Sequence, residues 1–142
     1  MADTQSDLVT NGSVGYSNTP KGMVLAAVAS YTIPASGAPG IGDLVEMISM
    51  PEGAIILDVV VAADGGTASM TIDVGDATTV DRFIDGLDAS AALITSLSSA
   101  GDVANAGVGF EYTSEDTIDI TFNTAAPTAA DVYTMTVTYV MA

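Results

Sequence analysis

From Met23 onward, apolar and polar residues alternate with a period of two, the spacing that places successive side chains on opposite faces of a β-strand. Met70, Ile72 and Val74 share one parity against Ser69, Thr71 and Asp73. Ile118, Ile120 and Phe122 repeat the device against Thr117, Asp119, Thr121 and Asn123. Tyr133, Met135, Val137, Tyr139 and Met141 alternate with Thr134, Thr136 and Thr138. Ala54–Ala63 is apolar at almost every position, which suits a central strand covered on both faces. Further strands are expected over Met23–Ile33, Asp43–Ser49 and Val108–Tyr112. Ile56, Val60, Met70, Ile72, Ile118, Ile120, Phe122, Met135, Val137 and Tyr139 are the expected core.

Turn chemistry separates these runs. Pro34–Gly42 is a loop by its Pro and Gly content, and Pro51-Glu52-Gly53 and Asp64-Gly65-Gly66 are turns. The stretch Asp88–Asn105 is small and polar. It allows either a short helix around Ser90–Leu97, favoured by Ala91, Ala92, Leu93 and Leu97, or a long loop. Short strands between regular turns predict an all-β fold: an antiparallel β-sandwich or jelly roll of about seven or eight strands. Met1–Gly22 carries no such period and is punctuated by Asn11-Gly12, Gly15 and Pro20. It reads as an extended N-terminal arm, residues 1–22, preceding a single domain, residues 23–142. Within the arm, Leu8, Val9, Val14, Tyr16, Pro20 and Lys21 are the candidates for contact with a neighbouring subunit.

Charge narrows the function further. The chain's 142 residues include 18 acids against Lys21 and Arg82, a net charge of −16. Nucleic-acid binding needs several cations to displace counterions from phosphates, and anionic membranes ask the same, so neither partner is expected. The densest apolar runs, Met23–Ala29 and Ala54–Ala63, fall short of the ~20 residues of a membrane span, and no signal-peptide pattern opens the sequence.

Catalytic chemistry has little to work with. Histidine and cysteine are absent, which removes Ser–His and Cys–His nucleophiles and the commonest metal ligand. Paired carboxylates exist, but there is no Trp to line a sugar cleft. The chain is not expected to be an enzyme or to need a cofactor. One segment, Asp73–Asp88 (DVGDATTVDRFIDGLD), holds Asp73, Asp76, Asp81, Asp85 and Asp88 without EF-hand spacing. Solvated turn aspartates and a structural Ca²⁺ are both open readings, and no metal is expected to be required. Arg82 lies inside this cluster. A guanidinium there can bridge carboxylates and pin the loop, with Asp73, Asp76 and Asp85 as candidate partners, or form only a surface ion pair.

The runs LVEMISMPEGAIILDVVV, MTIDVGDATTVDRFIDG and EYTSEDTIDITFNTAAPTAADVYTMTVTYV resemble the capsid decoration, or cement, proteins of tailed bacteriophages. The similarity spans Asp43–Val140, with DVGD…DRF its most distinctive part; the arm takes no part in it. The resemblance implies a structural virion protein made in the host cytoplasm. It would sit as a homotrimer on the outer surface of a capsid built from an HK97-type major capsid protein, stabilising the shell against internal DNA pressure. Alternatives are another virion subunit, from tail tube or head fibre, and a carbohydrate-binding β-sandwich module.

Overall fold

The computed structural model describes residues 4–5, 23–97 and 107–142. The strands are β1 (Thr4–Gln5), β2 (Leu25–Thr32), β3 (Leu44–Met50), β4 (Ala54–Ala63), β5 (Thr71–Gly75), β6 (Ile84–Asp88), β7 (Leu93–Ser96), β8 (Asp116–Asn123) and β9 (Val132–Met141). They form two sheets, in the orders β2-β9-β4-β7 and β1-β3-β8-β5-β6. Apart from the β5–β6 hairpin, each connection from β2 to β9 crosses from one sheet to the other. That interleaving of eight strands is the jelly roll. Every pairing is antiparallel except that of β1, which lies parallel to Val45–Glu46 of β3.

Alternation built the core as expected on β5, β8 and β9. Ile72, Val74, Ile118, Ile120, Phe122, Tyr133, Met135, Val137 and Tyr139 all point between the sheets. Phe122 and Tyr133, one from each sheet, meet edge to face with ring centroids 5.3 Å apart. Such a pair adds about 0.5–1.5 kcal/mol beyond its area burial.

Two β-bulges reset the phase. In β3 the pairing to β8 shifts between Glu46 and Ile48, so Met47 and Ile48 are both buried. In β4 the pairing to β9 shifts between Ile56 and Asp58. Ile56 is therefore buried, but the core parity beyond the bulge passes to Val59 and Val61. Val60, expected in the core, faces outward and is only half-buried.

Three further expectations need correction. Leu93–Ser96 is neither helix nor loop but β7, an edge strand held on Val60–Ala63, because sheet pairing outweighs the modest helix propensity of Ala and Leu. Ile84–Asp88 is β6, hidden in the sequence by its acids and by a bulge at Gly86. Val108–Tyr112 is not a strand. Gly109 takes φ +81°, and the segment lies irregularly on the start of β4, with Ile56 N donating to Phe110 O at 2.9 Å and Tyr112 N to Ala54 O at 2.9 Å. The Pro51-Glu52-Gly53 turn is present, with Gly53 at φ +87° and Ala54 N donating to Pro51 O at 3.1 Å.

Candidate functional site

The single arginine anchors the most connected polar cluster among the described residues. β5 ends at Gly75, and the next residue, Asp76, is buried. Its Oδ1 accepts from the backbone N–H groups of Thr78 (3.0 Å) and Thr79 (2.8 Å). Arg82 Nε donates to Asp76 Oδ2 at 2.5 Å, and Arg82 Nη2 donates to Asp76 Oδ1 at 3.3 Å and to Thr79 Oγ1 at 3.0 Å. The guanidinium carbon lies 3.8 Å from the centre of the Phe110 ring. Phe110 in turn meets Phe83 and Tyr112 edge to face. The hydrogen bond to Asp76 raises the Arg82 pKa further. Burial does the same to the Tyr112 phenol, with Asp76 and Asp116 adding to it.

Of the three carboxylates proposed for Arg82, the one it meets is thus Asp76. Asp73 is engaged elsewhere: Gly86 N donates to its Oδ1 at 2.8 Å and Asn123 Nδ2 to its Oδ2 at 2.6 Å, tying β6 and β8 together. Asp85 is exposed on β6. Asp88 caps the next turn, accepting from Ser90 N at 3.0 Å and Ser90 Oγ at 2.6 Å, which lowers its pKa. Among the described residues no three acids converge so as to hold a metal ion.

The loop that follows Gly75 folds over the outside of its own sheet. A Cβ at Gly75 would lie 2.1 Å from Thr79 O, so no other residue fits there. Gly75 is paired with Asp119 of β8, and Asp119 is paired on its other side with Glu46 of β3. Asp119 is consequently only 3 % exposed although it faces outward. Among the described residues, neither of its carboxylate oxygens has a hydrogen-bond partner of ordinary geometry. Burial pushes its pKa up to about 7; the Thr117 hydroxyl opposes the shift, while Glu46, Asp116 and Asp76 add to it. Nothing in the alternation of β8 singled out Asp119. Its neighbours come from distant segments, and only the sheet order brings them together.

The two outer faces of the sandwich differ in charge. On one sheet, β3, β8, β5 and β6 each contribute an outward acid: Glu46, Asp119, Asp73 and Asp88. On the other, the registers line up Val28–Thr136–Val60–Ser96, Ser30–Thr134–Ala62–Ile94 and Ala26–Thr138–Asp58 in rows across the strands. Asp58 is the one acid in these rows, and its Oδ1 is turned back to the Val59 N–H at 2.9 Å. Val28 and Ile94 are 58 % and 79 % exposed. A groove of about 590 Å³ runs at the β7 end of this face, lined by the apolar Ala62, Leu93, Ile94 and Val132 and by Thr134, with the acid Asp64 at its wall. A row of Val, Ala and Thr on a chain of net charge −16 is the feature alternation concealed, because a neutral outer face and a wet polar face have the same period.

Of the arm, the backbone of Thr4–Gln5 pairs with β3, so these residues carry regular structure that the sequence did not suggest. Leu8, Val9, Val14, Tyr16, Pro20 and Lys21 lie outside the described residues.

Comparison with solved structures gives the fold a context. The chain superposes on a chain of the capsid of Ralstonia phage GP4 with a TM-score of 0.74, covering 97 % of each at 18 % identity. The two chains share one fold over almost their whole length. A chain of the cyanophage Pam1 capsid asymmetric unit matches with a TM-score of 0.63 and 20 % identity over 94 % of this chain and 96 % of that one. A third match is to the acid-stable capsid of Helicobacter pylori bacteriophage KHP30, with a TM-score of 0.55 and 17 % identity over 85 % and 90 % of the two chains. No family model and no curated protein matches the sequence.

Proposed function

We propose that this chain is a structural protein of a tailed-phage virion that binds the outer surface of an HK97-type capsid as a homotrimer and stabilises the shell against internal DNA pressure. The observation that carries the reading is the end-to-end likeness of the fold to a chain of a phage capsid, 97 % of each chain. A fold shared over its whole length with a virion component, together with a sequence lacking histidine and cysteine, favours a structural task over a chemical one.

The neutral face of the β2-β9-β4-β7 sheet is the docking surface in this account. A protein of net charge −16 approaches any partner most cheaply where its acids are fewest, and only Asp58 stands in those rows. Burial of apolar area there contributes about 25 cal/mol per Å², less the cost of association. Leu8, Val9, Val14, Tyr16, Pro20 and Lys21 of the arm share in the contact. The acid-rich face then looks to solvent, held in shape by the Asp76–Arg82 cluster, which serves as the loop pin. The test is addition of the purified protein to capsids lacking it. Binding at regular, symmetry-related sites with a higher temperature of DNA release supports the reading. Assembly into tubes without binding capsids would transfer the chain to the tail.

A further inference from the structure

Among the described residues one carboxyl group is buried without a hydrogen-bond partner, and a single loop covers it. The group is Asp119, on the outward side of β8. Gly75, its partner on β5, lies directly under the carbonyl oxygens of Thr79 and Val80, the latter 2.6 Å from where a Cβ would stand. Paired residues of antiparallel strands lie about 5 Å apart, so the loop that crosses Gly75 also roofs Asp119. That loop, residues 76–82, is bonded mostly to itself. Asp76 N donates to Thr79 O at 3.0 Å, Arg82 N donates to the same oxygen at 3.2 Å, and the Asp76 carboxylate holds Thr78, Thr79 and Arg82. Its ties to the rest of the domain are slight. Phe83 N donates to Val74 O at its foot, Arg82 lies on Phe110, and the Tyr112 hydroxyl reaches Asp76 Oδ2 only at 3.5 Å. Ala77, Thr78 and Val80 at its crest are exposed.

We infer that this loop is a proton-operated latch: it lies closed over β5 and β8 while the Asp119 carboxyl holds its proton, and is released to swing outward about Gly75 and Phe83, the domain still folded, when that proton is lost. A protonated carboxyl keeps a donor for the oxygens around it. A carboxylate is acceptor-only, and the carbonyl oxygens of the loop give it no partner. The charges around Asp119 act in the same direction. Glu46 lies opposite on β3, Asp116 precedes it on β8, and Asp76 stands in the loop. Asp73 of β5 is engaged by Gly86 N and Asn123, and the nearby cation, Arg82, is engaged by Asp76. The Tyr112 phenol is kept neutral by burial. Opening the loop returns the carboxylate to water, whereas unfolding the domain would give up the core for the same gain. Under the closed loop the group titrates at about 7, and in the open one near the ordinary value of about 3.9. The closed form is thus favoured in full below about pH 4, loses ground about tenfold per pH unit above it, and reaches its smallest share above about pH 7.

Trypsin reads the latch, because Lys21 and Arg82 are the only basic residues and the bond after Arg82 lies in the loop. The full chain is digested at pH 6 and at pH 8, and each rate is divided by that of a short arginine peptide at the same pH. Cleavage after Arg82 should rise about tenfold from pH 6 to pH 8. Asp119→Asn, which cannot ionise, should show no such rise. Hydrogen exchange of the native protein at pH 8 gives a second route that needs no variant. The Phe83 amide, which ties the loop to Val74, should exchange at least tenfold faster than the amides of β9 once intrinsic rates are divided out. A normalised cleavage rate that is the same at both pH values, an equal rise in Asp119→Asn, or a Phe83 amide that exchanges at the rate of β9 would each overturn the inference.

Discussion

Glu46 and Asp119 stand directly opposite each other across the antiparallel β3–β8 pair, two acids on one face. Asp119 is sealed beneath the loop that crosses Gly75, and the like charge of Glu46 opposite it adds repulsion to that burial. Its carboxyl is accordingly pushed up to about 7. The unfolded chain would hold it near 3.9, about the ordinary Asp value. The folded state thus retains a proton that the unfolded state has lost, so this group's stability contribution is complete below about pH 4 and disappears as pH rises through about 7. Asp119→Asn should flatten that decline and raise stability at pH 8 by at most about 4 kcal/mol, on the order of three pKa units. Urea unfolding midpoints of both proteins between pH 4 and 8 measure it. Parallel pH profiles for the two would contradict the assignment.

Arg82 gives the second prediction. With Asp76 buried, Arg82→Ala leaves its carboxylate held by the N–H groups of Thr78 and Thr79 but without the cation beside it, and should cost about 3 kcal/mol, the low end for a broken buried pair. Arg82→Lys keeps the charge but loses the forked hydrogen bonds and the flat contact with Phe110, and should recover only part of that. A loss within about 1 kcal/mol for Arg82→Ala would reduce the pair to an ordinary surface ion pair.

A third prediction separates docking from folding. Thr136→Glu and Val60→Glu put acids in the middle of the neutral rows, at positions only half-buried in the free subunit. Each should weaken capsid binding at least tenfold while moving the melting temperature by only a few degrees. Asp88→Lys, on the acid-rich face, should leave capsid binding within twofold. A co-sedimentation series with capsids reads all three.

Metal removal supplies a fourth. Of the acids in Asp73–Asp88, Asp73, Asp76 and Asp88 are engaged by backbone N–H groups, Asn123, Arg82 and the Ser90 hydroxyl, and no three of the described acids converge. EDTA should leave the melting temperature unchanged, and added Ca²⁺ should not raise it. A drop of several degrees restored by Ca²⁺ would make the loop a structural calcium site.

How much of this was legible in the sequence differs by element. β5, β8 and β9 announce themselves because strict alternation has one physical reading once a face is buried. Val60 was misplaced because a bulge between Ile56 and Asp58 is a two-for-one pairing decided by the partner strand. β7 and β6 were missed for a similar reason. Their residues have weak or contrary local preference, and strand character comes from the sheet they join. Asp76 was among the candidates for Arg82, but which carboxylate the guanidinium would meet depends on the reversal after Gly75. The neutral face and the isolation of Asp119 are cross-strand properties, set by rows of residues far apart in the chain, and no local pattern records them.

The most direct measurement of the central claim is to prepare capsids lacking this protein, add it back purified, and image and heat both preparations. The account predicts density at regular symmetry-related positions on the outside of the shell, with the β2-β9-β4-β7 face toward the capsid, and DNA retained to a higher temperature than in bare particles. Binding through the acid-rich face, no binding to vacant capsids, or binding that leaves the DNA-release temperature unchanged would contradict it.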